Sequence, residues 1–276
     1  MPMRIGEFVI SHEAAIRLGF FSGILGIMAL WELAAPRRVL TVPKLLRWMN
    51  NIGIVVINSF LLRIIFPSAA VGVSAFAQKH GWGLFNYAQV SYTIAVIISV
   101  VALDFIIYLQ HVMFHAVPVF WRVHRMHHAD PDFDVTTGIR FHPVEILLSM
   151  LIKSAGVVVL GPPVLGVIIF EVALNATSMF NHSNVRMLRS VDSILRWFIV
   201  TPDMHRVHHS TEGRETNSNY GFNLPWWDRL LGTYRPQPRM GHEGMTIGLD
   251  EFRDKRRCVL LPGMLSIPFI GSFSMK

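Results

Sequence analysis

Two copies of the pattern H-x-x-H-H dominate this chain, one at His124, His127 and His128, the other at His205, His208 and His209. On a helix, residues at i, i+3 and i+4 share one face, so each triplet can aim three imidazoles into one volume. His111 and His115, four apart, offer two more. Eight imidazoles are too many for one ion at a coordination number of about four to six, and about right for two. Imidazole suits zinc, copper, iron and nickel, so the donors alone leave the metal open. The zinc-protease signature H-E-x-x-H is absent, because His12-Glu13 and His242-Glu243 have no second histidine at that spacing. The histidine motifs also lack the glutamates of a carboxylate-bridged di-iron bundle. Cys258 is the only cysteine, which rules out an intrachain disulfide and a thiolate cluster.

Apolar elements must position these histidines. Hydrophobic residues make up 52% of the 276 and charged residues 16%, a balance that polar surface could hardly cover in a soluble protein. Mean hydropathy is +0.42, and an integral membrane protein is expected. The net charge of +7 gathers beside the apolar runs, where cytoplasmic loops and anionic lipid account for it. No basic arm with interleaved aromatics is present, so no nucleic-acid partner is expected.

Five apolar runs follow in order. The first, from about Ala14 to Ala35, spans about 20 residues with Arg17 and Glu32 inside it, and reads as a retained span rather than a signal peptide. Arg37, Arg38, Lys44 and Arg47 form a basic loop that belongs on the cytoplasmic side. The second run, Ile52 to Ala77, carries Arg63 and Pro67, and no role is assigned to Arg63. The third, Val90 to Leu109, ends in a polar stripe: Asp104, Tyr108, His111 and His115, spaced four, three and four, fall on one helical face. Asp104 is placed to orient His111, since ligating imidazoles usually give their other N–H to a carboxylate or carbonyl. Ile146 to Leu160 and Val164 to Phe180, separated by Gly161, Pro162 and Pro163, read as a hairpin of two spans that brings the histidines before and after it to one face. The cytoplasmic arginines read mostly as a solvated or lipid-facing rim, with Arg122, Arg125 or Arg206 available to steer an anionic headgroup. The last patch, Cys258 to Phe273, is broken by Pro262, Gly263, Pro268 and Gly271 and reads as interfacial or packed under the cap. Residues 1–90 form an N-terminal transmembrane region, 91–240 a catalytic region and 241–276 a C-terminal segment of one structural domain. A histidine-dominated two-metal site beside a membrane points to oxygen chemistry on a lipid.

The motifs H111-x-x-x-H115, H124-x-x-H127-H128, R140-F-H142-P-V-E145, N181-H182-S183-N184, H205-x-x-H208-H209-S210, N219-Y220-G221 and W227-D228-x-L230-L231-G232-T233-Y234 follow one another between Asp104 and Tyr234. This order resembles the fatty acid hydroxylase superfamily, also called the sterol desaturase family. The resemblance implies an all-α integral membrane protein of about four transmembrane helices with a cytoplasmic helical cap. That cap would hold two iron ions and use O2 as co-substrate. It implies His111, His115, His124, His127, His128, His205, His208 and His209 as ligands, adds His182, and extends to His142 in the Phe-His-Pro turn, for nine or ten in all. The Asn219–Tyr234 segment is expected to shape the cap, with Gly221 allowing a tight turn and Trp226, Trp227 and Tyr234 suiting the headgroup zone.

The implied reaction is hydroxylation, rather than desaturation, of a C–H bond in a lipid, sterol-like or terpenoid substrate with two electrons. The chain has no reductase segment, and His142-Pro143 is followed by Val144-Glu145 rather than by the two glycines of a b5-type haem motif. A separate ferredoxin or cytochrome b5-like donor, with its reductase, is therefore expected, in a bacterial inner membrane with the site on the cytoplasmic face. A metal transporter or storage protein is the rival reading. It predicts ionisable residues lining a path through the middle of several spans, whereas these histidines gather at the span ends. A membrane haem cytochrome predicts single facing histidines, not clustered triplets.

Overall fold

The computed structural model describes residues 5–271. A short α1 (Ile5–Ser11) leads into α2 (Glu13–Ala34), whose side chains are mostly exposed and apolar, as a helix facing lipid requires. Glu32, near its end, is buried: it takes a hydrogen bond from Lys44 Nζ at 2.8 Å and from the N–H groups of Val135 (2.7 Å) and Asn184 (2.8 Å). The acidic residue that interrupts the first apolar run is thus one point where α2 is tied to the rest of the protein.

The second run divides at Pro67 into α3 (Lys44–Ile65) and α4 (Ala69–Lys79). Proline has no N–H for the helical ladder and its ring crowds the preceding turn. Arg63 falls in the last turn of α3, where a cation complements the helix C-terminus. After the single turn of α5 (Leu84–Tyr87), α6 (Tyr92–Ala116) runs unbroken for 25 residues, so Asp104, Tyr108, His111 and His115 do share one buried face. Pro118 opens α7 (Pro118–His128), the first triplet helix. The hairpin expected from the Gly-Pro-Pro punctuation is α8 (Pro143–Leu160) and α9 (Val164–Asn181), joined through Gly161 at a φ of 64°. Five helical segments among the described residues are long and apolar enough to cross a membrane.

Helix α6 packs against α7, α8 and α9, α2 lies along α9, and α4 covers α8 and α9. Lipid offers little hydrophobic drive for such contacts, so close approach must supply them. At Gly166 a Cβ would stand 3.0 Å from Ser99 Cβ, so its absence lets α9 seat against α6. Leu103, Ile107, Met150, Val157 and Phe170 fill the space between these helices.

The second triplet lies on α11 (Pro202–His208), after the short α10 (Arg189–Leu195). Single turns α12 (Gly213–Thr216), α13 (Trp226–Leu230) and α14 (Gly241–Gly244) follow, then α15 (Lys255–Val259) and α16 (Leu261–Ser266). The C-terminal patch does not span: Cys258, Val259, Met264 and Ile267 bury against Ile54 of α3 and Met126 of α7. Its final residues, from 272 on, lie outside the described ones.

The reading of the arginines as a rim needs correction. Arg47, Arg140 and Arg206 are fully buried. Arg47 pairs with Asp130 (Nη2 to Oδ2, 2.6 Å) and Asp134, while Arg140 donates to the Met126 and Cys258 carbonyls and to Asn51. Burial alone would raise the Asp130 carboxyl, but the Arg47 and Arg140 guanidiniums hold it below the usual carboxylate range. Arg125 donates to the carbonyls of Ile267 and Ile270, and Arg206 pairs with Asp203 and donates to the Ser183 carbonyl. Neither is free to steer a headgroup.

Candidate metal centre

Helices α6, α7, α9 and α11 bring nine imidazoles together in two groups. His111, His115, His124, His128 and His208 form one, and His127, His182, His205 and His209 the other. Within each group the possible ligand atoms lie within 4.8 Å of one another, and all nine residues are buried. The triplets are shared between the groups. Each gives its i, i+4 pair to one group and its remaining histidine to the other, because residues four apart stack while adjacent residues diverge by about 100° around a helix of 3.6 residues per turn. The groups touch where the His128 and His209 rings stack at 4.4 Å between centroids.

Bonds to the outer ring nitrogens fix which nitrogen faces inward. Nδ1 of His111 donates to the Tyr220 carbonyl (2.7 Å), His208 to Ser218 (2.7 Å), His182 to Ser178 (2.7 Å) and His127 to Arg140 (3.1 Å). A carbonyl only accepts, so each of these rings carries its proton on Nδ1 and turns the Nε2 lone pair toward the centre. His124 Nδ1 meets Glu145 Oε1 at 2.6 Å and His115 Nδ1 meets Asn217 Oδ1 at 3.3 Å. Burial first, and neighbouring imidazoles second, hold His127, His128, His205, His208 and His209 well below the usual histidine range, and burial pushes His182 down to about 3. Neutral imidazole is the ligating form.

The inward nitrogens then face one another. Nε2 to Nε2 distances are 3.1 Å for His111–His124, 3.0 Å for His111–His208 and 3.1 Å for His127–His182. In these pairs both Nδ1 protons are committed outward, so lone pair meets lone pair and a cation between them is the natural partner. A metal–nitrogen bond of about 2.1 Å places adjacent nitrogens about 3.0 Å apart at right angles, against about 3.4 Å in a tetrahedron. The spacing is therefore that of adjacent ligand nitrogens on a shared ion.

His142 joins neither group. Its Nδ1 accepts from the Val144 N–H at 3.2 Å, capping α8 ahead of Pro143, and its Nε2 lies 3.3 Å from the Leu265 carbonyl. Both nitrogens are spent on structure, with the proton on the opposite nitrogen from the rings above. Asp104 does not reach His111 either. Its carboxylate accepts from Trp227 Nε1 (2.8 Å) and the N–H groups of Asn223 and Leu224 (3.3 Å each).

The Asn219–Tyr234 segment does more than shape the cap. Asp228 accepts from the N–H groups of Tyr220 (2.8 Å) and Gly221 (2.9 Å) and from Thr233 Oγ1 (2.7 Å), and so holds the Tyr220 carbonyl on His111. Trp227 serves Asp104 rather than a headgroup zone. Glu145 carries no assigned role in the motif R140-F-H142-P-V-E145; its place three residues beyond His142 and four before Ser149 is the signal that marks it.

From His111, His124 and Glu145 a cavity of about 310 Å³ runs into the membrane helices, walled by Phe21, Leu62, Ile107, Phe114, Met150 and Phe222. A second cavity, of about 320 Å³, reaches His115 and Tyr220 from the cap, past Trp121 and Asp250. The histidine centre is thus met by a mostly apolar channel from the membrane helices and by a more polar one from the cap.

Apolar spanning helices under a buried histidine centre suited to metal define an all-α membrane protein of the oxygenase type. The chain belongs to the fatty acid hydroxylase family, whose model matches residues 96–233, half of its length. It is 34% identical over 145 residues to the ornithine lipid hydroxylase OlsE of Rhizobium tropici, covering 52% of this chain and 43% of that protein. It is 27% identical over 168 residues to the alkylglycerol monooxygenase of Xenopus tropicalis, covering 59% and 36%. Against the human alkylglycerol monooxygenase it is 29% identical over 151 residues, covering 54% and 32%. The chain thus spans less than half the length of these curated relatives. No solved structure matches it.

Proposed function

We propose that this protein is a membrane-bound, non-haem di-iron monooxygenase that hydroxylates a C–H bond of a lipid. The observation that carries the reading is the convergence of nine imidazole nitrogens at the inner end of an apolar cavity. His111, His115, His124, His128 and His208 would hold one iron, and His127, His182, His205 and His209 the other, with His142 left outside. Five and four donors fall short of six, so each ion keeps room for an exogenous ligand.

Two iron ions bound there supply the activation of O2: one oxygen atom enters the C–H bond, and the other leaves as water with two electrons and two protons. The chain's own part is to fix the imidazoles through Tyr220, Ser218, Ser178, Arg140 and Glu145, to exclude water with Phe114, Phe141 and Phe222, and to present a chain-like substrate along the cavity. Hydroxylation is favoured over desaturation, in keeping with relatives named as a lipid hydroxylase and monooxygenases. Electrons come from a separate ferredoxin or cytochrome b5-like donor. Residues 91–240 act as the catalytic region, flanked by the membrane region 1–90 and the segment 241–276. The basic loop at Arg37, Arg38 and Lys44 sets the centre on the cytoplasmic face, in a bacterial inner membrane.

The test is lipid analysis of host cells with and without the protein under ¹⁸O₂, beside iron analysis of the purified protein. One labelled oxygen per product and close to two irons per chain are expected. A product carrying oxygen from water, or wild-type iron content in His127→Ala and His208→Ala, overturns the reading.

A further inference from the structure

The far end of the membrane cavity is charged. Lys153 of α8 and Arg17 of α2 both pair with Glu171 of α9, and all three line the same cavity as His111 and His124. Ionisable side chains within spans are costly and tend to mark substrate pathways. Glu171 and Lys153 are shielded, at 4% and 13% side-chain exposure. Arg17 is answered a second time by Glu13 (Nε to Oε1, 2.7 Å), so two cations meet two carboxylates, of which Glu171 lines the cavity. Among the described residues Glu171 is the only partner of Lys153, so the ammonium, with three donors, has hydrogen-bonding capacity left over.

A polar track connects the two ends. Glu145, Ser149 and Lys153 recur every four residues along α8 and line the cavity together. Lys153 lies eight residues beyond Glu145, so about 12 Å of helix separates the charged cluster from the carboxylate that holds His124. A tie between helices could be made as well by apolar packing. Donors left over on a cavity wall call instead for an acceptor from a ligand.

We infer that Lys153, Arg17 and Glu171 form a recognition site for an oxygen-bearing group of the substrate, a carboxylate, carbonyl or hydroxyl. This inference rests on the oxygenase reading and deepens it. Lys153 donates to the ligand oxygen, Glu171 holds Lys153 and Arg17 in place, and the hydrocarbon between lies along Ile107, Phe114 and Met150. An extended chain advances about 1.2 Å per backbone bond, so about ten bonds separate that oxygen from the carbon beside the histidines. The cluster is then a ruler that selects which carbon is oxidised.

The test is photo-crosslinking of the full-length protein in lipid nanodiscs. The probes are twelve-carbon chains with a diazirine at the terminal carbon and a carboxylate, a hydroxyl or a methyl group at the other end. Labelled residues are mapped by mass spectrometry. In the wild type the carboxylate or hydroxyl probe should label the histidine end, around Phe114 and Ile146, at least tenfold more than the methyl probe. Whichever of the two does so tells an anionic from a neutral ligand group. Lys153→Met should abolish the difference while leaving methyl-probe labelling and iron content unchanged, and Lys153→Arg should restore it. Equal labelling by all three probes in the wild type overturns the inference, as does full discrimination in Lys153→Met. Because the wild-type comparison decides by itself, a variant that fails to fold does not rescue the inference. ¹⁸O incorporation without probe discrimination sinks the ruler alone, and discrimination without ¹⁸O incorporation sinks the oxygenase reading.

Discussion

The Nδ1–H of His111 donates to the Tyr220 carbonyl at 2.7 Å, and Tyr220 is itself held by Asp228 through its N–H at 2.8 Å. Ring orientation at the metal centre thus depends on a carboxylate that touches no histidine. Asp228→Ala strands the Tyr220 and Gly221 N–H groups and frees the carbonyl to swing. Loss of outer partners of this kind costs about 10–100-fold in metal affinity. Chelator competition on the purified protein reads this loss directly; wild-type retention of metal would show that Asp228 serves the cap fold only.

Gly138 lies against the backbone of α9. A Cβ there would strike the Ser178 carbonyl, the acceptor of the His182 proton, and stand 3.2 Å from His182 Nδ1. Gly138→Ala should therefore displace His182 and lower metal content by at least one ion per chain, measured by elemental analysis, although no ligand is replaced.

Arg47 answers two buried carboxylates, Asp130 and Asp134. Arg47→Met would remove the cation that both pair with, leaving Arg140 as the guanidinium near Asp130. Breaking a buried pair by removing one partner costs about 3–5 kcal/mol. The expected outcome is a large fall in thermal midpoint in detergent, larger than for substitution of exposed Arg239.

His142 and His127 make a contrasting pair. His142→Ala removes a helix cap, worth about 0.5–2 kcal/mol, and should leave the metal content intact. His127→Ala should strip the four-histidine group. Equal metal loss in the two variants would return His142 to the ligand set.

Cys258 is fully buried, and burial pushes its thiol up to about 11. Its Sγ lies 3.1 Å from the Phe252 carbonyl. The native protein should take up no maleimide at pH 7.5 and one per chain once unfolded, which makes the residue a reporter of the seam between α3, α7 and the C-terminal helices.

Much of this design is legible in local spacing. The face shared by His111 and His115, the helical triplets and the α8–α9 hairpin follow from periods of three and four and from Gly161-Pro162-Pro163. What spacing does not reveal is how the triplets divide. Which way adjacent His127 and His128 part depends on how α7 meets α9 and α11, a tertiary fact. Arg47, Arg140 and Arg206 misled for a related reason: an arginine in a basic stretch looks solvated until the Asp130-Pro131-Asp132-Phe133-Asp134 turn and the backbone carbonyls it meets are folded around it. The outer acceptors at Tyr220, Ser218 and Ser178 are main-chain atoms, which no side-chain motif can announce. The Ser149–Lys153 and Asn175–Glu171 positions could have been found, since they repeat at helical spacing inside apolar runs, but the runs read first as membrane spans.

The facing lone pairs of His111, His124 and His208 bear on how the protein is made. Without a cation these three rings hold nitrogen against nitrogen, with their outer protons already spoken for. The cap gains its full stability only when cations arrive, so metal supply becomes a checkpoint on maturation. Cells starved of the metal should clear newly made protein by proteolysis more quickly than protein already loaded, giving turnover a dependence on it that catalysis alone would not impose.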